Sequence, residues 1–165
     1  MGLQLIIHKD ILFRDLLRGI AIKNVAWPHS IESQVKWIID NMSPDDNHVF
    51  LTEEGCDKAY MTLSPVEGIL NGSKTRFMGV GCVCAKERNK GDGGKLVSSV
   101  NDYLFSNGLY GLLFCKTNLI SFYKKNGWQL LPDEIVTLQP QHEGVFVMVY
   151  NCPEVRSFKY SSRLF

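Results

Sequence analysis

The first apolar run, LQLIIH at 3–8, reads as a short strand. Leu12, Phe13, Leu16, Leu17 and Ile20 then recur at helical spacing, with Asp10 placed to cap the helix. WPHS breaks that pattern, and Ser30 can cap a second helix with Ile31, Val35, Ile38, Ile39 and Met42 on one face. SPDDN ends it. The period then shortens to two. HVFLTEE and KAYMTLSPV are strands joined through Gly55, and Asn71-Gly72 is a hairpin turn. TRFMGVGCVCA is a long strand with Gly79 and Gly81 inside it, where glycine marks a bulge or a close approach to the backbone. Leu96, Val97, Val100 and Leu104 restore the helical period up to SNG at 106–108. YGLLFC is a buried strand, and TNLISFYKKNG is a short helix with Thr117 as its cap and Gly127 beyond its end. WQLL, IVTLQP and VFVMVY are further strands, and NCPEVRSFKYSSRLF is an irregular tail. Strands on both sides of helices, with a hairpin-rich middle, give a mixed sheet covered by helices.

With 165 residues, 45% hydrophobic and 21% charged, and no linker, repeat or low-complexity tract, the chain reads as one domain over 1–165, with 151–165 as a tail. A net charge of +1 gives no global field for nucleic acid or a membrane surface. No apolar run approaches the roughly 18 to 20 residues of a membrane span. The opening MGLQLIIHKD is too short in apolar residues for a signal peptide, and Ile6 stands where a myristoylation motif needs Ser or Thr. The five cysteines, an odd number, include no CxxC pair, and the four histidines are scattered. That argues against a zinc site and for small reduced side chains in a cytoplasmic protein. Cys82 and Cys84, two apart in an extended run, share a face.

The stretch KERNKGDGGKL, 86–96, packs three glycines and four basic residues between a strand and a helix. Three phosphate-binding patterns compete for it. GxxxxGK[ST] fails because Asn89 stands at its first glycine and Leu96 follows the lysine. GxGxxG fails from Gly91 at Leu96 and from Gly79 at Cys84. RxxGxG fits Arg88, Asn89, Lys90, Gly91, Asp92 and Gly93. A helix N-terminus offers free N–H groups and partial positive charge, glycines let backbone close around an anion, and Arg88 and Lys90 add charge. A second motif, FYKKNGW at 122–128, follows after one helix and one strand.

Together these two motifs make the stretch 77–128 resemble the core of the GNAT superfamily of N-acetyltransferases. The resemblance implies an α/β (α+β) fold with a mixed, mostly antiparallel sheet of about six to seven strands and about four helices. It implies acetyl-CoA as cosubstrate, no metal, and transfer of the acetyl group to a primary amine of a small molecule or peptide. The protein would be a monomer or homodimer. The pantetheine arm would pair near Cys82, Val83 and Cys84, and Gly79 and Gly81 fit a close approach there. Arg88 through Gly94 (Asn89, Lys90, Gly91, Asp92 and Gly93 between them) would wrap the pyrophosphate. Val83 N–H would stabilise the oxyanion, and Tyr123 would sit near the sulfur and protonate the leaving thiolate. The base is open between Glu53, Glu54, His29 and His48, with Glu53 foremost. Trp27 and His29, between the first two helices, would line the acceptor site.

Three positions depart from the family pattern. Lys116 stands where an asparagine is usual, with Asn118 as a substitute on the pantetheine side or merely a helix cap. Ala85 replaces a proline. Asp92 replaces a hydrophobic residue, and beside a pyrophosphate its carboxylate would have to point outward. The last third resembles, more loosely, the aminoglycoside 2′-N-acetyltransferases. The tail carries Arg156, Lys159 and Arg163 against Glu154, a charge that disfavours a polycation. The other readings are a non-catalytic acyl-CoA sensor and an interaction protein.

Overall fold

The computed structural model describes residues 1–165, whose contacts gather them into two compact units. Unit 1 holds Met1–Ser64, Gly81–Val100 and Phe165; unit 2 holds Pro65–Val80 and Asn101–Leu164.

In unit 1, β1 (Gly2–Ile7) pairs antiparallel with β2 (Asn47–Glu53), and β2 pairs with β3 (Cys56–Leu70) from Asn47↔Leu63 to Glu53↔Cys56. Glu54 and Gly55, at φ 51 and 74, turn β2 into β3 with the two left-handed residues that match strand twist. The core runs along Val49, Phe50, Leu51, Ala59, Tyr60, Met61 and Leu63, none more than 1% exposed.

Helix α1 (Phe13–Ala26) starts later than Asp10 suggested. Residues His8–Asp10 form a 3-10 turn instead, because His8 N–H donates to Asp46 O and Lys9 N–H to Pro44 O. In α2 (Ile31–Asn41), Ser30 caps as expected, accepting from Ser33 N–H at 3.1 Å. The buried face differs: Ile31 and Ile39 are exposed, whereas Gln34 and Ile38 are buried. Gln34 Nε2 donates to Trp27 O at 2.7 Å, which holds that helix phase with a polar side chain inward.

A polar chain crosses the unit 1 core. The His8 Nδ1 and His48 Nε2 atoms are 2.9 Å apart, and His48 Nδ1 lies 2.7 Å from the Tyr60 hydroxyl. Burial, helped by His8 and Lys23, lowers the His48 pKa to about 4, so the ring is neutral. Nearer the surface, the Arg18 guanidinium forks onto Asp57 at 2.9 and 2.7 Å, meets Asp15 at 2.8 Å and covers the Phe50 ring.

Unit 2 takes the end of β3, most of β4 (Ser73–Ala85) and the end of α3 (Asp92–Ser106), with β5 (Gly111–Cys115) and α4 (Thr117–Lys125). It adds β6 (Gln129–Leu130), β7 (Val136–Leu138), β8 (Phe146–Tyr150) and β9 (Phe158–Tyr160). Asn71 and Gly72, at φ 50 and 82, make the expected tight turn between β3 and β4. β4 and β5 are parallel over two rungs, Met78↔Gly111 and Gly79↔Leu112. β8 lies antiparallel to β5 and to β6.

The strand path is β1-β2-β3-β4-β5-β8-β6, with β7 and β9 off it, making nine strands in a mostly antiparallel sheet with four α-helices. That exceeds the six to seven strands expected. One addition is β9, inside the tail read as irregular. It pairs with β3 at Ile69↔Lys159 and Leu70↔Phe158, and with β7 in parallel. The Asn71 side chain holds it there: Oδ1 accepts from Arg156 and Ser157 N–H, and Nδ2 donates to Glu154 O. No helix is long and apolar enough to cross a membrane.

Candidate functional site

In unit 1, β4 departs from extended geometry at Cys82, whose φ of 53 is left-handed for a residue with a Cβ. Such an interruption bends a strand and frees it from its ladder. The cysteines both pack on the cluster of Ile22, Phe50 and Tyr60, as a shared face requires. Burial pushes the Cys84 thiol up to about 12, so it serves as a small hydrophobe. At Gly81 the close neighbour is part of this chain. An added Cβ would stand 2.7 Å from the main-chain carbon of Phe165 and 2.9 Å from Thr62 Oγ1.

Residues 86–91 after β4 are exposed. Lys86 N–H donates to Lys58 O, and Arg88 Nη2 donates to Val25 O at 3.2 Å near the end of α1. Asn89 and Gly91 have φ 60 and 78, and an added Cβ on Gly91 would meet nothing within 4 Å. Gly91 is therefore needed for its backbone angle and not for space. The helix begins at Asp92, so Asp92, Gly93 and Gly94 belong to the first turn of α3 and not to the loop. That turn has main-chain N–H groups without partners inside the helix.

Asp92 does not point outward. It is only 7% exposed, with Oδ1 3.4 Å from Lys95 Nζ, which lies 4.0 Å from Glu53 Oε2. The helix N-terminus favours this carboxylate, and Lys95 offsets its charge.

A cavity of about 510 Å³ opens elsewhere in unit 1, lined by Lys23, Trp27, His29, Gln34, Trp37 and Cys82, with Ser33 and Phe165. It brings the two expected acceptor-site residues, Trp27 and His29, together with Cys82. Glu53 lies apart from it, at the end of β2 beside Lys95. His48 lies apart too, buried between His8 and Tyr60. Two bonds tie down the segment that carries Trp27 and His29: His29 N–H to Asn24 Oδ1 at 2.8 Å, and Gln34 Nε2 to Trp27 O.

Sequence reasoning missed Lys23 and Trp37. The Lys23 side chain is only 5% exposed, and its ammonium stands 3.4 Å from the centre of the Trp37 ring. Burial lowers its pKa. The signal was its spacing: Lys23 falls three residues after Ile20 and four after Gly19, on the buried stripe of α1.

In unit 2, the FYKKNGW stretch forms the end of α4 and its return. Thr117 is the first helical residue and not the cap; Lys116 precedes it without a side-chain cap bond, and Asn118 is exposed on the first turn. Gly127 at φ 83 ends the helix, and Trp128 N–H turns back to Tyr123 O. Tyr123 is 7% exposed, with its ring edge-on to Phe122 and Trp128 at 5.0 and 6.2 Å. Trp128 Nε1 donates to Asn101 Oδ1 at 2.9 Å, and Asn101 Nδ2 donates to Asn126 O at 2.7 Å.

No family model and no curated protein matches this sequence. Solved structures do. A Bacteroides thetaiotaomicron protein described as an acetyltransferase of the GNAT family matches with a TM-score of 0.64 at 13% identity, over 93% of this chain and 89% of its own. An acyl-CoA N-acyltransferase from Pseudomonas aeruginosa gives 0.59 at 14% identity, over 91% and 99%. Tetrahymena GCN5 gives 0.58 at 15%, over 91% and 95%. With strand order, four helices and these likenesses in agreement, the chain has the fold of the GNAT acyl-CoA N-acyltransferases.

Proposed function

We propose that this protein is an acyl-CoA-dependent N-acetyltransferase that moves an acetyl group onto a primary amine. The observation that carries the reading lies in one continuous piece of chain in a GNAT fold. A left-handed break at Cys82 in β4 is followed by a loop shaped by Asn89 and Gly91, and then by the open first turn of α3. That backbone suits an anion such as the pyrophosphate of acyl-CoA, with Arg88 and Lys90 adding positive charge. The residues fit the group because the loop is exposed and Gly91 has open space where a Cβ would be. Asp92 is the exception, and Lys95 Nζ at 3.4 Å from its Oδ1 offsets part of its charge.

When bound, acyl-CoA supplies a thioester, whose C–S bond breaks as the amine nitrogen bonds to the carbonyl carbon. The chain then has three tasks. Cys82, Val83 and Cys84 would hold the arm by main-chain hydrogen bonds, and Val83 N–H would be the donor to the carbonyl oxygen. Tyr123 takes its role of proton donor to the departing sulfur from the FYKKNGW motif. The amine's own proton leaves through His29 or Glu53; His29 lines the cavity, whereas Glu53 would work through water.

CoA-thiol release from acetyl-CoA tests the reading, with amines, amino acids, polyamines, aminoglycosides and short peptides as acceptors. Acceptor-dependent release that falls at least about tenfold in Tyr123→Phe supports it. Binding of acetyl-CoA without turnover across the panel would favour a sensor. Absence of binding would remove the reading of the glycine loop.

A further inference from the structure

Gly81 is the residue before the left-handed break in β4, and the chain itself fills the space over it. A Cβ there would lie 2.7 Å from the main-chain carbon of Phe165 and 3.1 Å from its oxygen. Only a glycine lets main chain approach a strand so closely. Phe165 is the only residue after Val100 that groups with unit 1. It lines the unit 1 cavity together with Cys82, Trp27 and His29. The residues leading to it are mostly exposed: Ser161, Ser162 and Leu164 face solvent, and Phe165 itself is only half-buried. A contact made by one half-buried residue after an exposed stretch opens at a much lower free energy than a core contact.

We propose that Phe165 is a self-blocking latch: its main chain sits on Gly81 beside the β4 break, and it lifts away when a ligand fills the site. On the transferase reading that ligand is the thioester end of acyl-CoA, whose arm would run along Cys82, Val83 and Cys84. The latch itself does not rest on that reading. The glycine serves both states, because without a Cβ at 81 either the protein's own main chain or an amide-bearing arm can lie flat on β4. A latch lowers apparent affinity by the fraction of molecules in which it stands open, so removing it tightens binding without adding a contact. A residue that only walls the cavity acts in the opposite sense, since deleting a wall loses contacts.

Two shortened chains test this, one ending at Leu164 and one at Arg163, the second so that Leu164 cannot take the vacated place. The first readout is alkylation of Cys82 by N-ethylmaleimide in the native protein, located by mass spectrometry. Burial raises the Cys82 pKa and the thiolate is the reactive form, so the rate reports how open the break is. Both shortened chains should alkylate Cys82 about tenfold faster than the 165-residue chain, with the exposed Cys56 and the buried Cys84 unchanged. The second readout is calorimetric titration with acetyl-CoA, which both shortened chains should bind about fivefold more tightly. An unchanged Cys82 rate overturns the latch, and so does an equal acceleration at Cys84, which would mean general loosening. Unchanged or weaker acetyl-CoA binding after the deletion also overturns it. If no chain binds acetyl-CoA, the transferase reading fails and the Cys82 rate alone decides the latch.

Discussion

The glycine loop of unit 1 and the tyrosine–tryptophan corner of unit 2 carry the two motifs behind the family resemblance, and they are built in opposite ways. The corner is packed. Trp128 is 3% exposed, bonds Asn101, and lies so close to β5 that a Cβ on Gly111 would meet its ring at 2.6 Å. Gly127 supplies the left-handed end of α4. Folding alone explains most of that motif. The loop is exposed and an added Cβ on Gly91 would meet nothing within 4 Å, so packing explains little of it. A motif that the fold does not need is stronger evidence of a ligand than one it does need.

Trp128→Ala should break the contrast most visibly. It removes a buried ring and takes the donor from the Asn101 amide oxygen, so urea unfolding should show a loss of about 3–5 kcal/mol. If the corner is a structural lock, Trp128→Phe should recover much of that loss.

Acid separates the core of unit 1 from its loop. The neutral His48 ring has a pKa near 4 in the fold against 6.5 outside it. Below pH 6.5 the unfolded chain binds a proton that the folded chain refuses, so stability falls as pH drops towards 4. The loss should reach about 3 kcal/mol over that window. In His48→Gln the slope of stability between pH 6.5 and 4 should flatten. An unchanged slope would mean that burial, with His8 and Lys23, does not hold the ring neutral.

Gly91→Ala should cost about 1–2 kcal/mol, from backbone angle alone, since open space surrounds the site. A cost as large as that of Trp128→Ala would erase the contrast. Arg88→Ala should change stability least, by under about 0.5 kcal/mol, because the side chain is exposed and donates one bond to Val25 O. On the transferase reading it should still weaken acetyl-CoA binding by about tenfold in a calorimetric titration.

Local signals in the sequence were legible where local physics decides. Asn71-Gly72 and the turn at Gly55 have the left-handed angles their residues favour. Leu96, Val97, Val100 and Leu104 are each 1% exposed or less, as their spacing requires. Signals set by distant partners were not. Asp10 has the chemistry of a cap, yet bonds from the 44–46 segment hold its neighbours in a 3-10 turn. The face of α2 turned on one amide, Gln34, reaching Trp27 O. β9 was hidden because its strand character comes from pairing with β3 and β7 and not from its own pattern. Trp27 and His29, which the resemblance implied for the acceptor side, both line the cavity of unit 1. Lys23 was passed over because a lysine on an apolar stripe reads as a surface residue when its neighbours in space are unknown.

The Asn71 side chain also imposes an order of events. Its three bonds reach 83 to 86 residues ahead, to Glu154, Arg156 and Ser157. The β2–β3 hairpin of unit 1 closes through a two-residue turn as soon as its own residues are made. During synthesis β3 must therefore wait, one end paired early and the other with its outer edge unpaired, until the segment around residue 156 has left the ribosome. Closing so long a loop is slow compared with a hairpin. Until that clamp can form, the exposed edge of β3 is where a nascent chain would be prone to pair wrongly.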